Sequence, residues 1–129
     1  MFFYGTLMSG FKRAGRARVE AKLAAQGRGW IGATLFVLGI YPAAIPAADS
    51  RGWGEIYRMT DADTVLAALD EIEGYRPAQP DRSLYTRVET AVTSEDGHVA
   101  NAWVYFYNAP LGGAQRIESG DYLEHLKVK

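Results

Sequence analysis

The chain has 129 residues, a formal net charge of −1, a hydrophobic content of 48% and no cysteine. That length and composition suit one domain with a real core; the missing thiols exclude a disulfide framework, a thiol nucleophile and Cys-based zinc or iron–sulfur sites. A near-neutral charge supplies no field to recruit nucleic acid, and no apolar run is long enough to span a bilayer, so neither nucleic acid nor membrane is an expected partner. The opening residues lack the charged start, long apolar run and cleavage site of a secretory leader. With the absence of cysteine, this leans towards the cytoplasm.

Residues 2–4 form a short aromatic strand broken by Gly5. Residues 11–26 are rich in Ala, Arg, Lys, Glu and Leu, which predicts a helix stopped by Gly27 and Gly29. A strand follows over 30–38. Residues 40–46 are expected to be irregular, because Pro42 and Pro46 do not suit a central ladder. Residues 53–59 read as a strand with Trp53, Glu55, Tyr57 and Met59 on one face.

Thr60, with Asp63 three residues on, looks like a helix cap. Val65, Leu66, Leu69 and Ile72 then make a helical apolar stripe, and Gly74 ends it. A polar loop occupies 74–83. Strands are predicted over 85–92 and 99–107, joined by the Ser94-Glu95-Asp96-Gly97 turn, and a last short helix falls in 117–126. The sum is one α+β domain over residues 1–129. Its sheet is mixed, mostly antiparallel and curled or barrel-like, with two to three helices.

Several chemistries lack an anchor. His98 lies beside a turn and His125 near the end of the chain, which leaves a Ser-His-Asp triad little support. HExxH, phosphate-loop and GxGxxG patterns are all missing, so no metal, nucleotide, flavin or nicotinamide cofactor is expected.

Two segments stand out. In Leu69-Asp70-Glu71-Ile72-Glu73-Gly74-Tyr75, helical spacing puts Asp70 and Glu73 on one face and Glu71 elsewhere. The negative end of the helix dipole, repulsion from Asp70 and the apolar cover of Ile72 and Tyr75 would all favour a protonated Glu73, as suits a residue that takes and returns a proton. On that feature alone, a surface carboxylate ahead of a capping glycine is the stronger reading. In Tyr4-Gly5-Thr6-Leu7, a glycine directly after a strand lets backbone N–H groups converge on an anion; an ordinary connection is the plain alternative.

Taken together, seven segments in order resemble the gamma-glutamylcyclotransferase-like family, in its AIG2-like and gamma-glutamylamine branch. They are Tyr4-Gly5-Thr6-Leu7, Gly39-Ile40-Tyr41-Pro42-Ala43 with Gly54-Glu55-Ile56-Tyr57, the Leu69 to Tyr75 segment, Tyr85-Thr86-Arg87-Val88, Ala102-Trp103-Val104-Tyr105 and Ile117-Glu118-Ser119-Gly120-Asp121-Tyr122. The resemblance implies a small barrel with a cavity at one end. It implies Glu73 as the catalytic acid–base residue and Tyr4, Gly5, Thr6 and Leu7 as the substrate cradle. Tyr85 lines the pocket in this comparison, and Tyr105 is a weaker candidate.

The implied reaction is cofactor-independent: a γ-glutamyl amine, or a related γ-glutamyl small molecule, closes on itself to 5-oxoproline and frees an amine. A non-catalytic binding module for similar ligands is the alternative, and the protein is expected as monomer or homodimer. Met8 departs from the basic residue common at that place in the branch, and the chain is shorter than the glutathione-degrading members, so glutathione is not the first expectation. Lys12, Arg13, Arg16, Arg18, Lys22 and Arg28 make a basic stretch, expected as a solvated helix face. Tyr41-Pro42-Ala43 either rims the pocket mouth or forms a rigid loop.

Overall fold

The computed structural model describes residues 1–8, 14–39 and 41–127. Among these described residues six strands, β1 (Phe2–Phe3), β2 (Leu23–Leu38), β3 (Tyr41–Met59), β4 (Tyr85–Ser94), β5 (Val99–Tyr107) and β6 (Gln115–Arg116), form one sheet, and two α-helices accompany it, α1 (Ala62–Glu73) and α2 (Tyr122–Lys127). The order is β1-β3-β2-β4-β5 with β6 on β2, and these pairings are all antiparallel.

β1 and β5 stand at opposite ends of that order, yet the Tyr4 hydroxyl donates to the Tyr105 carbonyl at 2.6 Å. The sheet therefore curls far enough to bring its two ends together, in keeping with the twist native to strands. This is the α+β, curled antiparallel architecture expected from the sequence.

The spine is the long β2–β3 hairpin, paired from Leu38↔Tyr41 back to Leu23↔Met59. Ile31, Ala33 and Leu35 are fully buried and alternate with partly exposed neighbours, the period of two that sends one face of a strand inward. The register jumps from Gly32↔Arg51 to Ala33↔Pro46, so residues 47–50 bulge out of the ladder.

Several sequence expectations fail here. Residues 14–26 are not an α-helix: short 3-10 turns cover Ala14–Arg18 and Glu20–Lys22, and β2 already begins at Leu23. Helix-forming composition is a weak prior, and from Leu23 onward pairing with the far end of β3 overrides it. The start of that predicted helix, residues 11–13, lies outside the described residues.

Residues 41–46 belong to β3 instead of an irregular loop; Ile40 lies outside the described residues. Pro42 and Pro46 are four apart, so their nitrogens face the same side of the strand. Over this half β3 pairs with β2 alone, as β1 joins it only at Glu55 and Ile56. A proline whose nitrogen faces the open side removes no ladder bond.

α1 packs on the sheet through Val65 and Leu69, both fully buried, while Leu66 and Ile72 are half-buried against the same core. It starts at Ala62, after Asp61 in the left-handed region (φ 54), so the entrance is not the Thr60 cap expected. Asp61 instead pairs with Lys22 at 2.7 Å. The last helix is shorter than the 117–126 expectation, as Ile117 to Asp121 come before it. Among the described residues no helix is long and apolar enough to cross a membrane.

Leu69→Ala removes a fully buried side chain four residues before the end of α1. Urea denaturation of this variant should show a loss of about 2–5 kcal/mol.

Candidate functional site

α1 ends in a tight stop. Gly74 takes φ 71, a conformation that glycine enters without strain. The Tyr75 N–H donates to the Asp70 carbonyl at 2.8 Å and the Gly74 N–H to the Glu71 carbonyl at 3.4 Å, the Schellman pattern. This stop sets the direction of Glu73. Asp70 and Glu73 are both buried, at 8% exposure each, whereas Glu71 is exposed, so the helical-face reading of the three carboxylates holds.

Asp70 is not a bare charge beside Glu73, because it is paired from β4 and β5. Arg87 on β4 grips both its oxygens, Nε to Oδ1 at 2.8 Å and Nη2 to Oδ2 at 3.1 Å. The Tyr105 hydroxyl on β5 adds a bond to Oδ1 at 2.7 Å. Burial works against the charge on Arg87, but the paired Asp70 outweighs it and holds the guanidinium above its ordinary pKa. Tyr105 is pushed well above the ordinary tyrosine value, first by burial, then by donating to Asp70, with the charge of Glu73 adding to the effect. It is thus a neutral donor already committed to Asp70.

The opposite wall is the turn after β1. The Met8 N–H donates to the Gly5 carbonyl at 3.0 Å and closes it. A Cβ on Gly5 would lie 2.5 Å from Cγ of Pro42, so the turn can press against β3 only with glycine there. Pro42 in turn accepts from the Tyr85 hydroxyl at 3.3 Å, and the Tyr85 ring meets Tyr107 edge-on at 5.4 Å.

Between these walls lies a narrow cavity with about 370 Å³ of atom-free space, part of it open mouth. Every candidate from the sequence lines it: Tyr4, Gly5, Thr6, Leu7, Glu73, Tyr85 and Tyr105. So do Phe2, Phe3, Tyr41 and Pro42. Tyr41, exposed, and Pro42, buried, thus border the cavity, while Ala43 is buried and does not line it. His98 is exposed beside Asp96 at 3.0 Å, and neither histidine lines the cavity.

The basic stretch is not a solvated helix face. Arg16 is buried, Arg18 meets Glu71 at 3.4 Å, Lys22 meets Asp61, and Arg28 meets Asp121 at 3.2 Å; Lys12 and Arg13 lie outside the described residues. Sequence reasoning gave no role to Arg87 or Arg16. The available signal for Arg87 was its place two residues after Tyr85 on the same strand, in need of an acidic partner once its face turned inward.

The family model described as gamma-glutamyl cyclotransferase, AIG2-like, matches residues 1–124. The gamma-glutamylcyclotransferase family protein YtfP of Escherichia coli (strain K12) is 37% identical over 93 residues, 72% of this chain and 70% of that protein. Among solved structures, the protein PH0828 of Pyrococcus horikoshii superposes with a TM-score of 0.64 at 23% identity, covering 98% of this chain and 95% of its own. A gamma-glutamyl cyclotransferase superposes with a TM-score of 0.57 at 14% identity, covering 89% and 67%. At such identities the two structures speak for the fold alone.

Arg87→Met would strand the buried Asp70 carboxylate. Chemical denaturation should show a loss of about 3 kcal/mol, the low end for a broken buried pair because both partners keep some solvent contact. The double variant Asp70→Asn, Arg87→Met should recover part of it.

Proposed function

The chain belongs to the gamma-glutamyl cyclotransferase, AIG2-like family, and from that premise we propose that it is a cyclotransferase converting a γ-glutamyl amine, or a related γ-glutamyl small molecule, to 5-oxoproline and a free amine. One observation carries the reading. Glu73 and the Tyr4 to Leu7 turn, far apart in sequence, line the same cavity.

The substrate's own α-amine is the nucleophile. Glu73 takes a proton from the α-ammonium, and the freed nitrogen attacks the γ-carbonyl carbon. A C–N bond forms and closes a five-membered ring, and the bond to the departing nitrogen breaks as Glu73 returns the proton to it; the ring nitrogen then gives up its second proton, which the departing amine carries away as an ammonium ion. The turn amides hold the α-carboxylate or polarise the carbonyl. Both reacting groups sit on one molecule, so little orientation entropy is left to overcome.

Tyr85 and Tyr105 contribute shape more than chemistry. Their hydroxyls are occupied with Pro42 and Asp70, which leaves their rings as walls. No step as written runs through a metal or cofactor. We place the reaction in the cytoplasm, in line with the cysteine-free composition.

The test is 5-oxoproline release by wild type and Glu73→Gln over γ-glutamyl amino acids, γ-glutamyl-ε-lysine, γ-glutamyl polyamines and glutathione. Wild type should turn over at least one compound, and Glu73→Gln should lose about 10²–10⁴-fold in kcat with an unchanged melting temperature. An active Glu73→Gln enzyme removes the mechanism. Ligand-induced stabilisation without turnover in wild type replaces catalysis with binding.

A further inference from the structure

Arg16 is set apart from its basic neighbours. It is 9% exposed, while the Arg18 side chain remains half exposed. Its guanidinium makes several contacts at once. Nη1 donates to the Leu7 carbonyl and Nη2 to the Tyr57 hydroxyl at 3.2 Å. The group lies over the Tyr57 ring, 5.0 Å from its centre, and Nε faces Glu20 at 3.6 Å. The Tyr57 hydroxyl in turn donates to Glu55 at 2.8 Å, so a second carboxylate helps balance the buried charge. A planar fork can serve such partners together, whereas a lysine ammonium on a flexible stem cannot.

The Leu7 carbonyl gives this arrangement its meaning. It shares a peptide plane with the Met8 N–H, which donates to the Gly5 carbonyl. Arg16 therefore holds one side of the Leu7–Met8 peptide and Gly5 holds the other. A plane fixed at both sides cannot rotate, and the residues just before it line the cavity. The 3-10 turn that carries Arg16 also touches the opposite wall. A Cβ on Gly15 would lie 2.6 Å from Cγ1 of Ile72, the residue next to Glu73.

We propose that Arg16 is a positioning residue: it locks the Leu7–Met8 peptide, and its 3-10 turn, braced on Ile72, registers the Tyr4 to Leu7 turn against Glu73. Its consequence for substrate rests on the cyclotransferase reading; the lock itself does not. A merely structural arginine would affect stability everywhere. A positioning one affects the turn and substrate binding ahead of the chemical step.

The experiment compares full-length wild type, Arg16→Met, Arg16→Lys and the exposed control Arg18→Ala. Amide hydrogen exchange of Met8 is measured by NMR, with KM and kcat for whichever γ-glutamyl compound the panel ranks first. Arg16→Met should speed Met8 exchange and raise KM, each about tenfold, with kcat within about threefold and the β2–β3 ladder amides unchanged. Arg16→Lys should recover part of both, and Arg18→Ala should match wild type. Unchanged Met8 exchange in a folded Arg16→Met protein overturns the proposal, as does uniform acceleration across the ladder or a lower kcat at constant KM. If Arg16→Met does not fold, Arg16→Lys decides by the same readouts, with intermediate values upholding the lock and wild-type values overturning it. If wild type releases no 5-oxoproline from any compound, the activity reading falls, while Met8 exchange still upholds or overturns the lock.

Discussion

A buried carboxylate must be neutralised, and much of this site follows from how Asp70 meets that demand. Leaving it unpaired would cost several kcal/mol. Arg87 comes from β4 and the Tyr105 hydroxyl from β5, so one carboxylate joins the end of α1 to two strands. Arg87 is itself held over the Trp103 ring at 4.5 Å. The Asp70 backbone carbonyl also accepts the bond from Tyr75 that stops the helix. The same residue thus ends α1 and docks it, and Glu73, three positions on, inherits a defined place.

The opposite wall depends on close approach, not charge. Gly5 lets the first turn lie on Pro42, and the Tyr4 hydroxyl reaches the Tyr105 carbonyl across the closure of the sheet. Tyr105 consequently belongs to both walls: its carbonyl anchors the turn and its hydroxyl anchors Asp70. Curling the sheet and forming the cavity are one event, because the contact that closes the sheet also borders the pocket.

The cavity residues were legible mainly through the family resemblance of their segments. On local signal alone, Glu73 is an acidic residue at the wrong end of a helix beside a glycine and the turn a glycine directly after a strand, features that an ordinary surface carboxylate and an ordinary connection share. The α1 stripe was legible from its residues alone: a period of 3.6 ending at Gly74. Residues 14–26 were not, because small and basic residues lack a period, and their structure depends on what pairs with them from β3. The prolines of β3 misled by an opposite route. Their rule is sound for a central strand, but which half of a strand has one neighbour is a property of the whole sheet. Arg16 and Arg87 were hidden because a charged side chain reveals its burial only through partners distant in sequence, Leu7 and Tyr57 for one, Asp70 for the other.

Two carboxylates on one helix face normally favour opposite solutions, either shared repulsion or a proton between them. Here their surroundings divide the work. The Asp70 oxygens are taken up by a guanidinium and a phenol, so it remains a fixed anchor. Glu73 is the carboxylate that lines the cavity. On the proposed reading this division suits the chemistry: one carboxylate is held as an anchor and the other faces the substrate. Its place at the helix C-terminus, where the dipole disfavours negative charge by about 0.3–1 kcal/mol, opposes stability but assists a group that must accept a proton. The fold keeps Arg87 on Asp70, one helical turn away.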